Sequence, residues 1–223
     1  PIVAIYSTFL QRSFDQIIHD VCLQKLPVVF AIDRGGIVGD DGKTHQGIFD
    51  LSYLSLVPNL IVAAPGDENE LQHLLFTGIH CGQPMAVRYP RGTGFGVYLD
   101  QKFHEIPLGT SQMIRKGQDF AVLALGNMVA PAVEAAAQLA EENIEVTVIN
   151  MRFAQPLDMK MVKYIAESHK GIITVEENVL TGGFGSIVNS ALHDIGIDNI
   201  AVRNLGIPDV FVGHGTQEQL RAR

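Results

Sequence analysis

Short, β-branched apolar runs alternate with amphipathic stretches from the first residue of this chain, and that alternation leaves few folds open to it. IVAIY at Ile2 to Tyr6, PVVFAI at Pro27 to Ile32, LIVAA at Leu60 to Ala64 and MAVR at Met85 to Arg88 read as strands of a buried sheet. Between the first two, Phe14, Ile17, Ile18, Val21 and Cys22 recur at three- and four-residue spacing, which predicts a helix from Phe9 to Lys25 with Ser7 or Thr8 as its cap. Phe49 to Leu56 predicts a short helix. Glu68 to Ile79 predicts an amphipathic one, with Asp67 at its N-cap and Leu71, Leu74, Leu75 and Ile79 on its apolar face. Strands and helices joined this tightly predict a mostly parallel sheet wrapped by helices.

The pattern loosens from Gly92 to Gln118 and then resumes. Phe120 to Ala124, Glu145 to Ile149, Gly171 to Val175 and Ile200 to Asn204 predict strands. Met128 to Ala140, Asp158 to Ser168, Ile187 to Asp194 and Thr216 to Arg223 predict helices. The fold class expected is therefore α/β, as two consecutive parallel or mostly parallel three-layer α/β/α domains: residues 1–100, a linker and entry to the second domain at 101–118, and residues 119–223. The glycines of Thr181 to Ser186 can present amides to an anion, but tight strand-to-helix packing is the reading preferred for them.

Composition removes several function classes. A net charge of -8 argues against nucleic acid as a general partner, because phosphate backbones need a basic face. Cys22 and Cys81 are the only cysteines; they imply no disulfide framework and fit buried thiols in a reducing cytoplasm. The apolar-looking stretch from Ala121 to Ala140 is broken by Gly126, Asn127, Pro131, Glu134 and Gln138, so no membrane span is expected. Pro1 to Leu10 has no basic leader, so no signal peptide is expected, and the missing initiator Met points to a fragment.

Chemistry concentrates in Ala31 to Asp50, AIDRGGIVGDDGKTHQGIFD. This stretch leaves the carboxyl end of a predicted buried strand, where open α/β sheets place ligands, and it carries five glycines among Asp33, Arg34, Asp40, Asp41, Lys43 and His45. Strand ends on one edge would gather Tyr6, Phe9, Arg34, Asp41, His45 and Arg91. Two arginines facing one pocket suit a phosphate or carboxylate, and a histidine beside a carboxylate suits proton transfer near neutral pH. The competing reading is a solvated loop whose Arg34 pairs with a neighbouring Asp. No G-x-S-x-G, CxxC or phosphate-loop pattern appears, and no metal cluster is expected. The other histidines, His73 and His104 among them, are assigned surface or packing roles, with His214 between glycines left open. On these residues alone the reading stops at an α/β enzyme fragment acting on a small anionic substrate.

The runs YSTFLQRSFDQIIHD, AIDRGGIVGDDGKTHQGIFDLSYL, PGDENE, AVRYPRG, NMRFAQPLD, TVEENVLTGGFGS and GTQEQLRA go further. Together, and in order along essentially the whole chain, they resemble the 1-deoxy-D-xylulose-5-phosphate synthase family of transketolase-like enzymes. That resemblance implies the later part of a pyrimidine-binding domain followed by a C-terminal domain. It also implies thiamine diphosphate and Mg2+ as cofactors, pyruvate and D-glyceraldehyde 3-phosphate as substrates, release of carbon dioxide, and a homodimer. By the same resemblance, Phe9 lies against the cofactor's aminopyrimidine ring. Tyr6, Arg34 and Arg91 hold the aldehyde and its phosphate, and Asp41 and His45 stand near the reacting carbon. The family's activating glutamate and its diphosphate and metal ligands fall upstream of Pro1, so this chain alone is expected to be inactive. Two other readings remain at this point: a β-type subunit of a 2-oxoacid dehydrogenase, which has no need of a phosphate site, and a non-catalytic association module.

Overall fold

The computed structural model describes residues 1–222. Its first sheet runs β1 (Ile2–Tyr6), β2 (Val29–Gly35), β3 (Ile61–Ala63) and β4 (Met85–Pro90), all parallel, in the spatial order β1-β2-β4-β3. After a short edge strand β5 (Gln112–Arg115), the second sheet adds β6 (Phe120–Ala124) and β7 (Val146–Asn150). β8 (Phe153–Gln155) is three residues long and leaves the second unit to pair antiparallel with β3, completing the first sheet. β9 (Gly171–Val179) and β10 (Ala201–Ile207) finish the second sheet, ordered β10-β9-β6-β7-β5 with β5 antiparallel. Each sheet therefore has four parallel strands and one antiparallel edge, the mostly parallel α/β architecture that the alternation predicts. All five residues of β7 are buried, as expected of a strand covered on both faces.

The predicted first helix is not one continuous helix. Residues 7–22 form α1 (Ser7–Leu10), a 3₁₀ turn (Gln11–Ser13), α2 (Phe14–Gln16) and a π-helical stretch (Ile17–Cys22). Ser13 leaves helical geometry at φ -113° and ψ 20°, which divides the run. Neither Ser7 nor Thr8 caps it: Thr8 Oγ1 instead donates to the Thr44 carbonyl at 2.7 Å. The remaining helices are α3 (Asp50–Leu54), α4 (Glu68–His80), α5 (Val129–Glu141), α6 (Met159–Ser168), α7 (Phe184–Asp194) and α8 (Gln217–Arg221). Asp67 caps α4 as predicted, its Oδ1 accepting the Glu70 N–H at 2.7 Å. The Gly183–Gly185 amides are engaged within the chain, that of Gly183 with the Leu180 carbonyl at 3.3 Å. The N–H groups of Phe184 and Gly185 bond to the buried Glu176 carboxylate at 2.7 and 2.8 Å. Burial pushes that carboxyl up to about 7, against the opposing pull of those same two N–H donors.

The two units share an apolar core. Leu51, Leu54 and Val62 from the first belong to the same buried cluster as Met151, Ile165 and Phe184 from the second. The segment between β4 and β5 has no helix or strand of its own and is strapped along α4. Glu68 accepts the N–H groups of Phe95, Gly96 and Val97, Asn69 accepts that of Asp100, and Thr77 accepts that of Ile106. Among the described residues no helix is long and apolar enough to cross a membrane.

Candidate functional site

The loop after β2 is shaped by its backbone before any side chain acts. Arg34 sits at φ +59°, a left-handed conformation unusual for a non-glycine residue, and its N–H is held by Asp33 Oδ1 at 2.6 Å. Gly36 and Gly47 then exchange both backbone hydrogen bonds, at 2.5 and 2.8 Å, and close the loop between them. Gly47 has to be glycine, because a Cβ there would run into the Arg34 carbonyl and the Ser7 side chain. Inside the closed loop the buried Gln46 accepts the Val38 N–H at 2.7 Å and donates to the carbonyls of Gly39 and Gly213. With its interior filled this way, the loop holds Asp41 and His45 on its outer side.

All six residues singled out from the sequence come together. Asp41 Oδ2 accepts from Arg34 Nη1 and, at 3.4 Å, from Arg91 Nη1; Arg91 also donates to the Val38 carbonyl at 3.2 Å. The Arg34 guanidinium lies over the Tyr6 ring, 4.2 Å from its centroid, a cation–π placement. Tyr6 stacks on Phe9 at 5.5 Å, and Phe9 meets the His45 ring edge-on at 5.6 Å. The Thr44 hydroxyl lies 3.0 Å from His45 Nδ1. Three separate strand ends thus supply one continuous row of contacts from Arg91 to His45.

Beside this row lies a cavity of about 430 Å³, lined by Asp33, Arg34, Tyr89, Arg91 and, from the second unit, Asn127. Burial, with the Asp33 charge second, pushes the Tyr89 hydroxyl up and keeps it a hydrogen-bond donor. The pairing of Arg34 with Asp41 agrees with the solvated-loop reading. The second arginine, arriving from another strand to the same oxygen, does not follow from that reading.

Several residues that shape the site were not singled out in the sequence. Arg88 is 2% exposed and Asp50 0%, and they form a fully buried ion pair at 3.2 Å. Arg88 also donates to the carbonyls of Gly47 at 3.2 Å and Glu177 at 2.7 Å, tying the loop base to the second unit. A charge inside the otherwise apolar strand MAVRYP is the signal that marks it, since a buried arginine needs partners. Asn127 and Gln217, both from the second unit, carried no local signal at all.

A group of three possible metal ligands exists among the described residues, His73, Asp100 and His104. Two of its three side chains are already engaged: His73 Nδ1 accepts the His104 backbone N–H at 3.3 Å, leaving Nε2 to donate to Asp100 Oδ2 at 2.9 Å. Two nitrogens and one carboxylate do not suit Mg2+, which takes oxygen ligands. The group lies between α4 and its strap.

Residues 1–94 match the family model for the transketolase pyrimidine-binding domain, and residues 109–223 match that for the transketolase C-terminal domain. The chain belongs to the transketolase family. The loop after β2 and Arg91 lie in its pyrimidine-binding domain, while Asn127, Glu177 and Gln217 come from its C-terminal domain. Over its whole length the chain resembles proteins named 1-deoxy-D-xylulose-5-phosphate synthase. It is 59% identical to one from Dehalococcoides mccartyi, 56% to one from Desulforudis audaxviator and 57% to one from Geobacter sulfurreducens. In each case it covers 100% of this chain and 35% of the relative, so it spans about a third of their length. Among solved structures, a split-gene transketolase described as an inactive β4 tetramer matches 95% of this chain and 68% of its own at a TM-score of 0.84 and 29% identity. Transketolase from Campylobacter jejuni matches 100% of this chain and 33% of its own at a TM-score of 0.75; at 21% identity it shows the fold alone.

Proposed function

We propose that this chain supplies the aldehyde-phosphate side of the active site of a thiamine diphosphate-dependent synthase. The reaction joins pyruvate to D-glyceraldehyde 3-phosphate as 1-deoxy-D-xylulose 5-phosphate, releases carbon dioxide and takes up one proton. The observation that carries this reading is the convergence of Arg34 and Arg91 on the Asp41 carboxylate. A guanidinium pair that donates to one oxyanion can donate to another, and phosphate offers similar acceptor oxygens with more charge. The names carried by the relatives give the same product. Transfer of an acyl group to lipoamide, the dehydrogenase alternative, gives no use to an arginine pair.

The residues present fit the cofactor in part. Phe9 is 46% exposed and set between Tyr6 and His45, so its ring offers a flat face to an aminopyrimidine. When bound, thiamine diphosphate supplies the nucleophilic carbon for carbon–carbon bond formation. Tyr6, Arg34 and Arg91 hold the aldehyde and its phosphate. Asp41 and His45 would lie near the reacting carbon; with Nδ1 facing the Thr44 hydroxyl, His45 keeps Nε2 for a substrate oxygen or a proton. The diphosphate and its Mg2+ are held by residues outside this chain, which is inactive alone and works in a homodimer.

The test is steady-state kinetics of the full-length protein. Arg34→Ala and Arg91→Ala should each raise KM for glyceraldehyde 3-phosphate by about 10- to 100-fold, the scale of a lost charge-assisted hydrogen bond. Unchanged KM values, or acyl-lipoamide as the product, would refute the reading.

A further inference from the structure

The paired strands β2 and β4 part company at Gly35 and Pro90, their last paired residues, and the two arginines lie on either side of that point. Past it, three contacts hold the diverging loops together. Two belong to Arg91 Nη1, on the Val38 carbonyl and on Asp41. Both are lost as soon as that guanidinium turns to a ligand. The third comes from the far end of the chain: Gln217 Nε2 donates to the Ile37 carbonyl at 2.7 Å and to the Arg91 carbonyl at 3.1 Å. A side-chain amide nitrogen has two hydrogens, and here each has one acceptor, one on each loop.

Gln217 is held firmly enough to act as a fixed point. It is the first residue of α8, whose N-terminus is closed by a reciprocal capping box between Thr216 and Gln219. Leu220 anchors that helix in an apolar cluster with Ile37, Ile48, Val179 and Ile207, and Arg221 Nε pairs with the buried Glu177 at 2.6 Å. Gly39, at φ +101°, packs directly against Gln217: a Cβ there would lie 3.4 Å from Gln217 Cγ and 3.2 Å from the Gly215 carbonyl.

We propose that Gln217 is a positioning residue that sets the separation of Arg34 and Arg91, acting through the backbone of Ile37 and Arg91, and thereby sets preference for a phosphorylated over an unphosphorylated aldehyde. This rests on the reading that the arginine pair takes the substrate phosphate. Gln217 touches neither the substrate nor the reacting atoms. Its effect is on how well two guanidiniums fit one phosphate, so it acts on binding and leaves the chemical step alone.

The experiment uses the full-length protein with Gln217→Met, which keeps length and removes both donors, and Gln217→Glu, which turns a carboxylate toward two carbonyls. Gln217→Met should raise KM for glyceraldehyde 3-phosphate about tenfold, as for two lost neutral hydrogen bonds, with kcat and the KM for unphosphorylated D-glyceraldehyde held within about twofold. Gln217→Glu should raise it further. Amide hydrogen exchange across residues 36–46 without substrate should quicken in both. Parallel losses with both aldehydes, as general unfolding would give, or unchanged exchange, would overturn the proposal. If Arg34→Ala and Arg91→Ala discriminate between the aldehydes and Gln217→Met does not, the proposal alone has failed. If the arginine variants do not discriminate either, the phosphate reading has failed and takes the proposal with it.

Discussion

Arg34, near the end of β2, and Arg91, just past β4, meet on a single oxygen of the Asp41 carboxylate. That carboxylate is an internal competitor for any anion the arginines bind. Asp41→Asn removes its charge while keeping its shape, so inorganic phosphate should bind about fivefold more tightly, the scale of a partly exposed ion pair. Titration calorimetry at two salt concentrations checks this, since the gain should shrink as salt rises. Equal affinities in the two proteins would show that Asp41 does not restrain the pair.

The buried pair of Arg88 and Asp50 makes a prediction about stability. Removing one partner strands the other charge, so Arg88→Met or Asp50→Asn should each cost about 3 to 5 kcal/mol. Arg88→Met combined with Asp50→Asn should cost less than the two single losses together, because no charge is left unpaired. The residual loss in the double variant measures what the Gly47 and Glu177 carbonyls lose. Urea unfolding of the four proteins gives the cycle directly.

The strap along α4 should be acid-sensitive. Backbone N–H groups, its own and those of Gly96, Phe95 and Val97, hold the Glu68 carboxyl below its usual range. The hydrogen bond from His73 and then that from Asn69 do the same for Asp100. A carboxylate whose folded value is depressed stabilises the native state above its unfolded value and loses that contribution as pH falls through the folded one. Limited proteolysis within residues 93–104 should therefore be slow at about pH 5 and rise below about pH 4, the ordinary carboxylate range. Glu68→Gln should raise cleavage already at the higher pH. Cleavage independent of pH would show that these anchors do not hold the strap.

Thiol labelling separates the two cysteines. Cys22 is buried, and burial pushes its thiol up to about 11, which leaves almost no thiolate near neutrality. Cys81 is half-buried at the end of α4, with Sγ 3.5 Å from the carbonyls of Gly78 and Gln83. Iodoacetamide at pH 8 should alkylate Cys81 first and reach Cys22 only as the protein unfolds, an order that peptide mapping reads out. Equal rates would mean that residues 7–22 open readily.

How far the sequence discloses the molecule depends on the range of the forces involved. β6 was read with its observed bounds, Phe120–Ala124, because a run buried on both faces carries its own pattern. β8 has no such pattern, because its three residues become a strand only by pairing with β3. The first helix was read as continuous from its apolar spacing, but spacing does not register the departure at Ser13. Within the site, the charged residues stand out because they leave a buried strand at the sheet edge where open α/β folds place ligands, although a solvated loop explains Arg34 and Asp41 as well. Asn127 and Gln217 were not, because their importance lies in partners far along the chain.

Because Phe153–Gln155 crosses over to finish the first sheet, the two halves cannot be exchanged like beads on a string. A chimera joined within residues 92–118 would set β3 against a foreign edge strand and pack one half of a common interior against an unfamiliar surface. Recombination between relatives should therefore succeed only where both parents agree on those three residues and on the face of β3 that receives them.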